Sequence, residues 1–464
     1  MRKKQLIGFI VCIVLLVAVF VLPIPSGLTE KGLITIGILL TFLVLLVTEA
    51  LPIGVICILS LALLPTLGAA DNLKIALSGY TTPILYFVLV SFGISAAVSK
   101  VPLSKRILVS LMKIFGKNVR SIIFAIMLCT AVISSLVSNV PTTAIFMGIG
   151  LGFLEIFDLG EDRKRTGKAI MIAIPVASMI GGIMTPAGTS LNLLTMDVLK
   201  EMAGINVTFV QWMLIGIPIA VVLIPIAWFF IVKTYKPAEI DPKKIHQYID
   251  TIDIPRHIDR REMSVIIITM GMLILWILSS WFPFLDVTII ALFGFVCFFL
   301  PGIEILNWQE FVKSVSWEAF FLVGTVLCIA NCIIANGVSD WFIATVMPTS
   351  LSLPLFGIVF IVCLIVFVML LVIPVAPALI AVLAPAMISF AVTTNSSPAI
   401  LVMAMGICAS NCYLFPLDTV PLITYSTGYY SMMDMPKSTF FIQLTLGILV
   451  ALWLPIMGNW IGIA

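Results

Sequence analysis

Charge is what this chain has least of. Lys, Arg, Asp and Glu together make up 10% of 464 residues, and there are two histidines. No water-soluble domain has that balance, so a soluble fold is excluded. Both histidines, His246 and His257, fall in one basic stretch, and no Cys/His cluster suggests zinc. The nine cysteines lie almost wholly inside apolar runs, have no disulfide-framework spacing, and read as small buried hydrophobes. The apolar runs contain no nucleophile–base pair, which argues against a membrane enzyme. They also lack any Lys or Arg that could face an anion. The net charge of +3 is segregated along the chain and says little about partners; no nucleic acid is expected.

What is there is apolar sequence. The chain is 61% hydrophobic with a mean hydropathy of +1.23, which reads as an all-α polytopic membrane protein. Runs of spanning length fall at 5–23, 33–50, 52–70, 82–98, 169–187, 211–232, 263–281, 285–300, 317–336, 398–416 and 440–462. Two longer runs, 121–156 and 354–394, are each broken near the middle by a proline-containing turn. Both suit re-entrant helical hairpins, giving eleven spans plus two hairpins. The basic Met1–Lys4 segment and the apolar run after it lack a convincing cleavage site before Pro23, so they are read as a retained first helix.

Charge asymmetry orients this layout. With the N-terminus cytoplasmic, the inner segments carry 22 of the 25 Lys and Arg, leaving Lys31, Lys74 and Lys200 outside. The C-terminus then falls outside. The expected divisions are an N-terminal helix and connector (1–32), a first repeat (33–232), a basic cytoplasmic linker (233–262) and a second repeat (263–464). Three segment pairs match at offsets of 230 to 236 residues in one order. Ile183–Thr189 pairs with Tyr413–Thr419, Ser138–Pro141 with Pro374–Pro377, and Leu85–Val88 with Ala319–Leu322. Each unit holds an odd number of spans, so the second copy is expected upside down, with a site between the copies.

Four polar breaks should converge there. At the first, Ser138 and Asn139 offer hydroxyl and amide groups, and Pro141 suits the first position of an outgoing helix. The amides of Thr142 and Thr143 would then face an anion. At the second break only backbone donors after Pro377 remain. The broken spans carry Thr185–Asn192, with Gly188, Thr189 and Asn192, and Phe415–Pro421, with Asp418 and Thr419. Asp418 could hold a cation, carry a proton or anchor a hydroxyl network. Glu49 and Glu318 read as helix caps near the inner surface.

These residues resemble the divalent anion:sodium symporter family of the ion transporter superfamily. Thr48–Ile53 looks like its Thr-Glu-Ala-Leu-Pro-Ile signature, and Trp317–Gly324 like its Trp-acidic-apolar-Gly segment. Thr185–Asn192 resembles its Gly-Thr-Pro-Pro-Asn loop, with Ser190 and Leu191 replacing the prolines. The resemblance runs from about residue 33 to the C-terminus. It implies a homodimer in the lipid bilayer, elevator transport, and di- or tricarboxylate substrates, or sulfate in some members. It implies substrate contacts from Ser138, Asn139, Val140, Pro141, Thr142, Thr189, Asn192, Ala376, Pro377, Ala378 and Thr419. A sodium site would draw on Ser134, Ser138, Asn139 and Gly188, with Asp418 near a second.

The chain departs from the family at both tips. Members carry Ser-Asn-Thr twice; here the first reads Ser138-Asn139-Val140, and the second, at 374–377, has no polar side chain. Two-sodium coupling is therefore weakened. The favoured expectation is an exchanger of four- and five-carbon dicarboxylates such as succinate, malate or 2-oxoglutarate, in a prokaryotic plasma membrane and without a cofactor other than sodium. Sodium- or proton-coupled symport through Asp418 is the alternative. A channel or the membrane part of a pump is more remote, since no polar stripe runs along the spans.

Overall fold

The computed structural model describes residues 3–21, 23–48, 50–116, 118–252, 254–255, 257–282, 284–338, 341, 345, 353–372 and 375–463. Among these, helix is the only regular structure. Backbone groups in lipid must find partners within their own segment, so long apolar runs coil.

The first half of the chain holds α1 (Lys3–Val21), α2 (Glu30–Thr48), α3 (Ile53–Thr66), α4 (Leu73–Ala76), α5 (Pro83–Ser99) and α6 (Leu103–Phe115). It continues with α7 (Val119–Val137), α8 (Asn139–Leu154), α9 (Glu161–Ile183), α10 (Ser190–Ala203) and α11 (Phe209–Tyr235). A short linker helix, α12 (Pro242–Thr251), follows. The second half holds α13 (Arg260–Leu278), α14 (Val287–Cys297), α15 (Trp308–Ser314), α16 (Trp317–Ala335) and α17 (Leu355–Val372). It ends with α18 (Ala376–Thr393), α19 (Pro398–Ala409), α20 (Thr419–Tyr425) and α21 (Met435–Trp460).

Eight of these helices are long and apolar enough to cross a bilayer, or nine if α5 and α6, bent by 59° at their junction, form one span. Six more apolar stretches, in α1, α3, α8, α14, α17 and α19, are shorter. The expected spans at 169–187 and 398–416 both stop early. α9 ends at Ile183 because Thr185 precedes Pro186 and is pushed to an extended φ of −135°. α19 ends at Ala409, where the Asn411 amide donates to the Ile407 carbonyl at 2.6 Å and takes the place of the next backbone donor. The basic stretch 99–120 between the expected runs 82–98 and 121–156 is largely helical, since α6 occupies much of it. Its Arg106 makes a two-pronged pair at 2.8 Å with Glu262, a fully buried carboxylate at the start of α13.

Burial is concentrated on one helix. α9 has 94% of its most apolar window inside the protein, against 28% for α13, whose flank faces outward. α7, α8 and α11 surround α9, and α7 and α8 pack on each other across the single residue between them. Later in the chain, α19 is enclosed by α17, α18 and α21. The short helices after each break cross over. α10 packs on α18 and α19, while α20 packs on α8 and α9. These crossings tie the helices that follow the two broken spans to the opposite part of the chain. Glu49 and Pro374 lie outside the described residues. Ser316, not Glu318, caps α16, its hydroxyl accepting from the Ala319 amide at 3.4 Å.

Candidate functional site

The α7–α8 junction is a single residue, Ser138, with φ 93° and ψ 150°. That backbone region is essentially reserved for glycine, so a serine there is strained. Its amide reaches the Ser134 carbonyl at 3.4 Å, and its carbonyl accepts from the Thr142 hydroxyl at 2.8 Å. No side-chain oxygen caps α8. Ser138 is half-buried, and its own hydroxyl takes no bond within the described chain.

Around that junction a buried network forms. The Ser134 hydroxyl donates to Asn139 Oδ1 at 2.7 Å and lies 3.1 Å from the Ser178 hydroxyl. Ser178 Oγ in turn donates to the Asn139 carbonyl at 2.9 Å. Gly182, one turn further along α9, makes room for the amide, since a Cβ there would overlap Asn139 Oδ1. Gly188 lies close in turn, because its Cβ would come within 2.6 Å of the Gly182 carbonyl. The break after α9 is held by Thr185 Oγ1, which donates to the Ser135 carbonyl at 2.6 Å. Trp212 of α11 caps the same helix end, its indole N–H donating to the Ile183 carbonyl at 2.9 Å. Asn192 Nδ2 bonds the carbonyls of Gly182 and Thr185 at 2.7 and 2.8 Å, and its Oδ1 is buried without a partner. Thr189 caps α10, its hydroxyl oxygen accepting from the Leu191 amide at 3.4 Å.

Among the residues singled out in the sequence, Ser134 and Asn139 share a hydrogen bond, Gly188 and Asn192 meet them through Gly182, Ser138 lies next to Asn139 in the chain, and Thr189 caps the helix that carries Asn192. Pro141 is the third residue of α8, not its first, because the helix already begins at Asn139. The first-turn amides are therefore those of Asn139 and Val140, upstream of Thr142 and Thr143. Val140 points outward, 40% exposed, and Thr142 is buried against its own helix.

The second set is differently built. α18 starts at Ala376, with Pro377 second and Ala378 third, and no side chain caps it. Asp418 caps α20, its Oδ1 accepting from the Thr419 amide at 2.8 Å and the Thr419 hydroxyl at 3.3 Å. No hydrogen bond among the described residues joins this set to the Asn139 network.

Sequence reading passed over Ser178 and Gly182, which share one face of α9 at helical spacing; the Gly181-Gly182 pair in an apolar run was the available signal. It also passed over Asn411. The Tyr413 hydroxyl donates to Asn411 Oδ1, and Gln443 of α21 ties both residues, giving its Nε2 proton to the Asn411 carbonyl and accepting from the Tyr413 amide, each at 2.9 Å. The Ser410-Asn411 dipeptide repeats Ser138-Asn139 and could have been noticed. Asp197 on α10 lies apart, its buried Oδ2 unpartnered in a space of about 30 Å³ beside Thr82, Glu201 and Asn331. Among the described residues no group of three or more His, Cys, Asp or Glu could hold a metal ion.

A polytopic bundle of apolar helices in which α9 and α19 stop short and shorter helices carry the chain on is the architecture of a membrane carrier. Its fold is similar to that of Neisseria gonorrhoeae MtrF (TM-score 0.57, 15% identity, 99% of this chain and 95% of that one). It is also similar to the Alcanivorax borkumensis YdaH transporter (TM-score 0.53, 14% identity, 99% and 98%). The family profile of the sodium:sulfate symporter transmembrane region matches residues 3–463, and the chain belongs to that family. The resemblance drawn from its motifs is thereby borne out, and the chain is a transporter, not an enzyme. Among its relatives is the sodium-dependent dicarboxylate transporter SdcS of Staphylococcus saprophyticus, 26% identical, covering 95% of this chain and 89% of the relative. SdcS of Staphylococcus aureus is 26% identical over 97% of this chain and 90% of its own length.

Proposed function

We propose that this protein carries four- and five-carbon dicarboxylates across the plasma membrane. The observation that carries this reading is the uncapped start of α8 beside the unbonded Ser138 hydroxyl and the Asn139 amide. A helix start offers free N–H groups and a partial positive charge, which suit a carboxylate where lysine and arginine are lacking. α18 offers a second uncapped start, with the amides of Ala376 and Ala378, for the other carboxylate. The relatives' names favour dicarboxylate over sulfate.

In this reading α7–α8 and α17–α18 are re-entrant hairpins, and the two halves are inverted repeats. The recurring element order and the reciprocal crossing of α10 and α20 support it. Transport proceeds by an elevator movement in a homodimer, with the N-terminus cytoplasmic and the C-terminus outside.

Sodium-coupled symport is the better supported mode. The relatives are named sodium-dependent, and the hydroxyls and amide of Ser134, Ser138 and Asn139 are the oxygen-rich set a sodium ion needs. Exchange, the mode expected from sequence, keeps one specific support. The second break lacks polar side chains among its described residues, and Asp418 is occupied as a helix cap, so a second cation has little to bind. Uptake of labelled succinate into proteoliposomes separates the two. Sodium-driven uptake into empty vesicles establishes symport. Uptake only against internal dicarboxylate, indifferent to sodium, establishes exchange. No uptake under either condition overturns the dicarboxylate assignment.

A further inference from the structure

An open cavity with a largely apolar wall and a basic rim lies apart from the Asn139 network. It encloses about 760 Å³ between the starts of α7 and α9 and the end of α11. Four cations line it, Arg120, Arg165, Lys233 and Lys236, against one carboxylate, Glu239. Arg120 takes Glu239 at 3.1 Å, and Arg165 takes Asp162 at 2.8 Å. Lys233 and Lys236 have no carboxylate partner among the described residues; the Lys233 ammonium lies 5.3 Å over the Phe229 ring.

The depth of this cavity matters as much as its charge. α11 is apolar up to Val232 and turns basic at Lys233, so the cavity sits where the helix leaves hydrocarbon. The Trp228 indole donates to the Arg120 carbonyl at 2.8 Å, pinning α11 to α7 and fixing the cavity wall. Phe229 and Val222, seven residues apart on one helix face, are 51% and 45% exposed. Two unpaired ammonium groups thus stand at the head of an apolar track.

We propose that this cavity binds the phosphate of an anionic phospholipid. The phosphate sits among Lys233, Lys236 and Arg165, and an acyl chain follows Phe229 and Val222 along α11. Basic pockets between spanning helices suit such headgroups, and guanidinium and ammonium groups both bind phosphate oxygens well. A free phosphate ion shares the headgroup chemistry but has no use for the apolar track.

The test is native mass spectrometry of the purified full chain titrated with phosphatidylglycerol, phosphatidylcholine or inorganic phosphate. The Lys233→Gln/Lys236→Gln variant is compared with Lys243→Gln/Lys244→Gln, which removes the same charge from α12. Both pairs are solvent-exposed, and each variant's melting temperature is checked against the parent. The expected result is retention of phosphatidylglycerol by the parent and the α12 variant, and binding weaker by roughly tenfold or more in the first variant. Phosphatidylcholine should show no such difference, and millimolar inorganic phosphate should not displace the lipid. Equal retention by all three proteins, or equal loss in both variants, overturns the site. Displacement by inorganic phosphate at matched concentration overturns the lipid assignment.

Discussion

Ser138 carries opposing demands in one residue. Its backbone conformation belongs to glycine, yet its hydroxyl stands unbonded at the candidate site. Ser138→Gly should therefore raise the melting temperature, by an amount equivalent to about 1 kcal/mol of relieved strain. The same change should reduce dicarboxylate uptake at least tenfold; uptake at the parent rate would remove the hydroxyl from substrate or cation binding. Asp434 shows how pH enters. Burial alone would raise its carboxyl, but Lys168, the Ser431 amide, Lys437 and the Ser431 hydroxyl outweigh that and hold it well below the usual carboxylate range. A depressed acid stabilises the fold at pH values above its unfolded value, near 4, and that contribution is lost as pH falls. Asp434→Asn should cost about 1–2 kcal/mol at neutral pH, a figure kept low because Lys437 is largely exposed. Thermal melts of the two proteins should begin to approach each other below about pH 4 and meet only well below it, as Asp434 protonates in the folded state.

The helices that place the site were largely legible in the sequence, and the reasons are local. The α7–α8 and α17–α18 breaks show as prolines and small or polar residues inside long apolar runs, and both helix pairs appear within two residues of the ranges expected. The stopping points of α9 and α19 were less legible. They are decided by an extended residue before Pro186 and by a side-chain amide at Asn411, neither of which alters hydropathy. Nor does hydropathy give the depth of packing that makes Gly182 necessary. α6 was hidden for a related reason: its charges mark a polar connection between apolar runs without revealing that one of them, Arg106, satisfies a buried acid on α13. Arg106→Ala should strand Glu262 and destabilise the protein by about 3 kcal/mol. Arg106→Leu with Glu262→Leu should recover most of that loss, as denaturant titration in detergent would measure.

At the scale of the whole molecule, the packing joins the first part of the chain to the last. α10 leaves the first half to lie on α18 and α19, and α20 returns from the second to lie on α8 and α9. This reciprocal exchange sets an order on biogenesis. While the chain is being made, the surface of α8 and α9 that receives α20 stays uncovered until residue 419 has emerged. The first half is thus an incomplete product awaiting neighbours made late, α20 on α8 and α9 and α21 on α11, and needs shelter in the membrane meanwhile. Expressed alone, residues 1–241 should be degraded, whereas the same fragment co-expressed with 242–464 should accumulate and co-purify with it. Translation pauses after α12 should lower yield more than pauses after α20.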